Sequence, residues 1–189
     1  MSSNYRYVGV GDTRTALAAI VQENKVPVDL RGMTATFEAV NAEDSSVVVV
    51  AESGTNVAVE PSFSITVTAN SGKLAAYGTG LKGGDEPDIV RFEASVMPTG
   101  LDEDTFYKVR NVYADGFTVT TCDGTQIITP TTTGTDVECV IVGMVTYAWQ
   151  DEDVETAQKL RCCFRVVDGS DKSTFPRSTD LVVEVRARP

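Results

Sequence analysis

The stretch that decides the fold is Val140-Ile-Val-Gly-Met-Val-Thr-Tyr-Ala-Trp149, followed after an acidic turn by Leu160-Arg-Cys-Cys-Phe-Arg-Val-Val167. Val145, Tyr147 and Trp149 stand two apart, a spacing that sends all three side chains to one face of an extended chain. β-Branched and aromatic residues pack well on a pleated surface and crowd a helix. The stretch therefore predicts two strands, 142–149 and 159–167, joined as a hairpin through Gln150-Asp-Glu-Asp-Val-Glu155. The sole tryptophan, Trp149, suits the centre of a sandwich, where a strand-borne Trp packs between sheets. Phe37, Val145, Tyr147, Trp149 and Phe164 are the expected core.

The composition agrees with a packed domain. Hydrophobic residues make up 42% of the 189 residues, too many for a disordered chain. Acidic residues outnumber basic ones 27 to 16, for a net charge of -11. That balance argues against non-specific binding to nucleic acid or anionic membrane, which needs a cationic surface. No apolar run approaches the ~20 residues of a membrane span. Met1-Ser-Ser-Asn-Tyr-Arg6 lacks an apolar core, so the expectation is synthesis in a cytoplasm without a secretory signal. Short apolar runs broken by Gly, Asp, Asn and Pro point to an all-β chain.

The remaining chain reads in the same way. Met33, Ala35, Phe37 and Ala39 alternate with polar residues and predict a half-buried strand. The four valines of Val47-Val-Val-Val-Ala51 predict a strand covered on both faces. In Thr13–Asn24, Leu17, Ile20 and Val21 have helical spacing over a short piece. That segment reads as a strand or as an extended arm with one helical turn, and residues 1–24 are a candidate assembly arm. From 61 to 139 short strands alternate with glycine-rich and threonine-rich loops, enough for a small barrel-like domain of its own. The organisation expected is a split sandwich, 1–60 with 140–189, interrupted by an inserted domain at 61–139.

Two sets of residues carry a resemblance. Gly11-Asp12-Thr13, Leu17, Val28-Asp29-Leu30-Arg31-Gly32 and Thr34-Ala-Thr-Phe37 stand early in the chain. Gly143-Met-Val-Thr-Tyr-Ala-Trp149, Asp151 and Asp153, Leu160–Val167, Asp168-Gly169 and Phe175-Pro176 stand late. In that order they resemble the N-terminal domain of phage baseplate upper proteins, which implies an immunoglobulin-like β-sandwich. The family usually carries Gly and Tyr where this chain has Lys159-Leu160-Arg161. The inserted part is similar to a small β module of phage tail and fibre proteins. That likeness rests on Gly80-Leu-Lys-Gly-Gly-Asp85, Met97-Pro-Thr-Gly-Leu101, Thr105-Phe-Tyr-Lys-Val109 and Gly116-Phe-Thr-Val119.

Sites for chemistry are sparse. With no histidine, neither a Ser-His-Asp triad nor a Cys-His pair is available. Cys122, Cys139, Cys162 and Cys163 form no Cys-x-x-Cys pair and read as reduced thiols buried as small hydrophobes. The acidic turn at 150–155 lacks the ligand spacing of a calcium loop and reads as a solvated hairpin turn. The Gly80–Asp85 loop is not followed by the Gly-Lys-Ser/Thr of a phosphate cradle. No catalytic residue, metal or cofactor is expected.

What the resemblance implies is a non-enzymatic structural protein of a tailed-bacteriophage virion, in the tail, baseplate or fibre-attachment region. Its partners would be other virion structural proteins and further copies of itself in a symmetric oligomer. The variants are a capsid cement or neck protein and, from another class, a carbohydrate-binding adhesion module. The last predicts exposed aromatic side chains on the inserted loops, where sequence shows almost none. The candidate interface residues are Gly80, Leu81, Asp85, Met97, Pro98 and Leu101, within the loops 80–88 and 97–104; a third loop, 129–136, is grouped with them.

Overall fold

The computed structural model describes residues 5–9, 16–23, 25–54, 56–169, 171–175 and 181–186. Gly11-Asp12-Thr13 and Pro176, which contribute to the resemblance, lie outside them. The chain is all-β, with a short 3-10 turn at Asp151–Val154 as the helical element among the described residues. Its contacts divide into two compact units, 1–59 with 143–189 and 60–142.

The first unit begins with β1 (Tyr5–Gly9), β2 (Leu17–Ile20), β3 (Gln22–Glu23), β4 (Val26–Pro27), β5 (Thr34–Asn41), β6 (Val47–Glu52) and β7 (Val57–Val59). The second unit holds β8 (Ser62–Ser64), β9 (Thr66–Val67), β10 (Leu74–Ala75), β11 (Ile89–Glu93), β12 (Tyr107–Tyr113), β13 (Gly116–Thr121) and β14 (Glu138–Ile141). The chain then returns to the first unit with β15 (Met144–Tyr147), β16 (Gln158–Asp168), β17 (Asp171–Phe175) and β18 (Leu181–Arg186).

The first unit is a β-sandwich. One sheet runs β1-β18-β16-β5-β6, with β17 also on β16, and the other runs β2-β15-β7. The long β16 organises the larger sheet. Leu160–Val167 pairs with β5 on one side, while on the other Gln158–Cys162 pairs with β18 and Phe164–Asp168 with β17. Leu160, Cys162, Phe164 and Val166 alternate inward and are buried, as the strand period of two requires. The expected core residues Phe37, Val145, Tyr147, Trp149 and Phe164 all lie in one buried cluster. The Phe37 ring stacks on Tyr147 at 4.0 Å between centroids, with Trp149 edge-on at 5.8 Å and Phe164 tilted at 5.1 Å.

Four local expectations are corrected. The strands before and after the acidic turn do not form a hairpin, because β15 belongs to the smaller sheet and β16 to the larger. The 3-10 turn between them carries the chain from one layer to the other. Nor is that turn merely solvated: Asp153 is buried, accepting the Tyr147 hydroxyl and, at 2.8 Å, the Gln150 N–H. Of the two readings of the N-terminal segment, the strand holds at 5–9 and 17–23 and the assembly arm does not. β1 pairs in parallel with β18, and β2 pairs with β15. A segment that can add to a sheet satisfies its backbone N–H and C=O groups there, which favours pairing over an extended tail.

The fourth correction concerns the valine run. It forms β6 at the end of its sheet, and Val47 and Val50 are 62% and 60% exposed. A run of β-branched residues fixes a strand, but only tertiary placement decides whether its second face is covered.

The second unit is a closed barrel. Its sheet runs β8-β14-β11-β12-β13-β10-β9. The two end strands, Ser62–Ser64 and Thr66–Val67, are separated in sequence by Ile65 alone, so one bent segment joins both ends of the sheet. Ile65 is buried and donates its N–H to Val137 O at 2.9 Å. Inside lie Val90, Phe92, Tyr107, Val109, Phe117, Val119 and Cys139, each at most 2% exposed. Gly116 permits the β10–β13 pairing, since a Cβ there would stand 2.3 Å from Leu74 O.

Candidate assembly surface

The inserted loops are placed at opposite ends of β11. Loop 80–88 precedes the strand and loop 97–104 follows it. Lys82 N donates to an Asp88 carboxylate oxygen at 2.7 Å, and Asp88 N donates back to Lys82 O at 2.9 Å. Burial pushes the Asp88 carboxyl up. Loop 97–104 is tied instead to loop 129–136: Thr99 N donates to Thr132 Oγ1 and Thr131 N to Thr99 O, both at 2.8 Å. Asp102 N also donates to the Tyr107 hydroxyl at 2.9 Å. The structure thus brings two of the three expected loops together and separates the third.

Within these loops the expected interface residues do not share one role. Gly80 and Asp85 are exposed and Met97 is half-buried. Leu81, Pro98 and Leu101 are buried and correct the expectation, because side chains that complete the barrel's own packing are not presented to a partner. Pro98 lies under Gly134, where a Cβ would stand 2.6 Å from its Cγ. The apolar residues of a glycine-rich loop look available in sequence, but they are what anchors the loop.

Two surfaces escaped the sequence reading. The first is the aromatic end of the barrel, where Tyr77 is 83% and Tyr113 is 49% exposed. Lys73 Nζ lies 5.6 Å from the centre of the Tyr113 ring and 2.6 Å from Asp115. No periodicity in the sequence marked Tyr77 or Tyr113 as unpacked. The second surface is the β6 edge with Val47 and Val50. There the signal was visible, as four consecutive valines, but it was assigned to a covered strand.

Several carboxylates of the barrel unit are engaged within the fold. Glu60 and Arg91 form a buried ion pair at 2.8 Å. Asp136 accepts from Ser95 Oγ at 3.0 Å, and Glu138 accepts from Ser62 Oγ at 2.6 Å, along an open groove beside Ser64 and Val137. Among the described residues, no group of three or more Cys, Asp or Glu is placed to hold a metal ion. No described helix is long and apolar enough to cross a membrane.

Fold and surface together define an all-β protein of two units, a sandwich built from two stretches separated in sequence and a barrel-like unit built from the residues that interrupt them. No protein-family model, characterised protein or solved structure matches the chain.

Proposed function

We propose that this chain is a non-enzymatic structural protein of a tailed-bacteriophage virion, acting by protein–protein assembly in the tail, baseplate or fibre-attachment region. The phage assignment rests on the ordered motifs from Val28-Asp29-Leu30 to Gly143–Trp149 and Asp168-Gly169. On the same ground we read the sandwich as immunoglobulin-like. The observation that supports assembly is the β6 edge, where two large apolar side chains face solvent beside unpaired strand backbone among the described residues. Its partners are other virion chains and copies of itself, and its place is the virion, after synthesis in the bacterial cytoplasm.

Immunogold labelling of purified virions tests the reading. Label at the tail end is the expected result, and label at the capsid or neck moves the protein to a cement or connector role. Virions that bind no label overturn the proposal.

A carbohydrate-binding adhesion module is the second reading, favoured by the exposed rings of Tyr77 and Tyr113. Aromatic faces stack on the apolar face of a pyranose, and the Lys73–Asp115 pair stands beside Tyr113 as hydrogen-bonding groups. A glycan array at high protein concentration decides it: binding lost in Tyr77→Ala supports the module, and an array without signal removes it.

A further inference from the structure

We infer that Asp168-Gly169 is a site of spontaneous covalent modification, the Asp-Gly pair that the native fold leaves free to isomerise through a succinimide to isoaspartate. This reactivity goes beyond the assembly reading and is independent of it.

The chemistry belongs to the dipeptide. The backbone nitrogen of the glycine attacks Cγ of the preceding aspartic acid; an N–Cγ bond forms and a carboxyl oxygen leaves as water. Water then opens the ring at either carbonyl and returns aspartate or isoaspartate, so no oxidant or other co-reactant is consumed. Glycine in second place favours the ring, because it has no Cβ to hinder the approach.

The sequence holds three such pairs, Asp115-Gly116, Asp123-Gly124 and Asp168-Gly169, and the fold treats them differently. In the second, the nucleophile is engaged: Gly124 N donates to Thr121 O at 2.8 Å. Its carboxylate is held by Thr121 and Thr125 with a pKa lowered to about 2, so the protonated form that loses water is scarce. In the first, Asp115 meets Lys73 Nζ at 2.6 Å, a contact that holds its carboxyl below the ordinary value. Gly116 is fixed between two strands, opposite Tyr113 of β12 and Ala75 of β10.

Asp168-Gly169 escapes these restraints. Both residues are exposed, and among the described residues no group bonds the Asp168 carboxylate or the Gly169 N–H. Gly169 has a φ of +54° and open space where a Cβ would stand. It belongs to the turn that closes β16 on β17 at the pair Asp168↔Asp171. β5 stops pairing with β16 at Val167, and β17 is bonded to β16 alone among the described strands. This end of the hairpin therefore opens without breaking any other described strand pair, and opening lets the Gly169 nitrogen reach Cγ.

Isomerisation reroutes the backbone through the Asp168 side chain, adding a methylene and leaving the α-carboxylate pendant. A short turn sets hairpin register by its length, so the added atom works against Asp168↔Asp171 and then Val167↔Lys172. The damage is confined to β17, because β16 keeps β5 on its other side.

Ageing the full native chain at neutral pH and physiological temperature tests the inference. An isoaspartyl carboxyl methyltransferase with a labelled methyl donor reads the pendant carboxylate, and peptide mapping locates it. Label is expected in the Asp168 peptide before those of Asp115 and Asp123. Asp168→Glu abolishes the label there, because the larger ring forms far more slowly. Asp168→Asn hastens it, because a neutral amide loses ammonia more readily than a carboxylate loses water. Asp168 is exposed, so Trp149 emission should be unchanged in both variants, which shows that they fold. In denaturant the three pairs are expected to age alike. A native chain without isoaspartate at Asp168, or one that ages first at Asp115 or Asp123, overturns the inference. So does a denatured chain that keeps the native preference, since local sequence and not the fold would then select the site.

Discussion

Arg91 and Glu60, thirty-one positions apart in sequence, form an ion pair at 2.8 Å with side chains only 5% and 3% exposed. Arg91 also donates through Nη1 to Glu93. Burial works against the guanidinium's charge, but Glu60 and Glu93 outweigh it and hold Arg91 above its ordinary value. Removing one partner of a buried pair costs on the order of 3–5 kcal/mol, whereas replacing the whole pair by apolar residues is often near neutral. Arg91→Met is therefore expected to destabilise the barrel by about 3 kcal/mol, and Arg91→Met with Glu60→Leu to recover most of it. Hydrogen exchange of the β11 and β14 amides measures both. A double variant no more stable than the single one would show that the pair is not what holds this wall.

In the sandwich, Phe37 touches the three other aromatic rings of the core. Phe37→Ala removes the stack on Tyr147 and leaves a cavity against Trp149, at a cost of about 3–5 kcal/mol. Trp149 is the only tryptophan, so its emission reports this unit directly. The variant should show a red-shifted native spectrum and a lower denaturant midpoint. An unchanged midpoint would mean that the rings do not share one core.

Gly143 opens the segment that returns the chain to the sandwich. Its φ is +73°, and a Cβ there would stand 2.9 Å from Val21 O and 3.1 Å from Val28 O. Its own carbonyl accepts the Val21 N–H at 2.7 Å, so the backbone has little room to move away. Gly143→Ala combines a left-handed conformation with a backbone clash and should cost about 2 kcal/mol or more. Thermal melts followed at Trp149 check this, and a melt equal to wild type would refute the close approach.

Asp123 sets a pH response in the turn after β13. It accepts from Thr121 Oγ1 and from Thr125 N and Oγ1, which lower its pKa from 3.8 to about 2. A carboxylate whose folded pKa is depressed contributes stability above its unfolded value and loses it as pH falls through the folded one. The turn is therefore expected to hold fully above pH 3.8 and to loosen toward pH 2. NMR titration of Asp123 should show that midpoint, and Thr121→Ala should move it upward. An Asp123 that titrates at its ordinary value in the wild type would rule the arrangement out.

Much of the sandwich could be read from residue order. Alternation at 33–39 marked β5 with its inward residues, 159–167 read as a strand, and Phe37, Tyr147, Trp149 and Phe164 lie in the buried core. Period-two patterns are legible because one face of a half-buried strand must be apolar. What misled was the number of covered faces. The valine run of β6 carries the same residues whether buried or at an edge, and Leu81 and Leu101 look alike as loop anchors or as contacts. Those distinctions depend on neighbours distant in sequence.

The opening stretch shows where the boundary lies. Sequence alone marked 142–149 and 159–167 as strands, put Val145, Tyr147 and Trp149 on one face, and placed Trp149 and Phe164 in a core. Turn chemistry at 150–155 did not say which strand each would pair with. Only the tertiary structure put β15 between β2 and β7 in one sheet and β16 between β5 and β18 in the other. The reason is physical: side-chain pattern fixes which face of a strand is buried, but hydrogen-bonding partners are chosen among all available edges. The same rule closes the barrel through Ile65 and leaves β6 with an edge to offer.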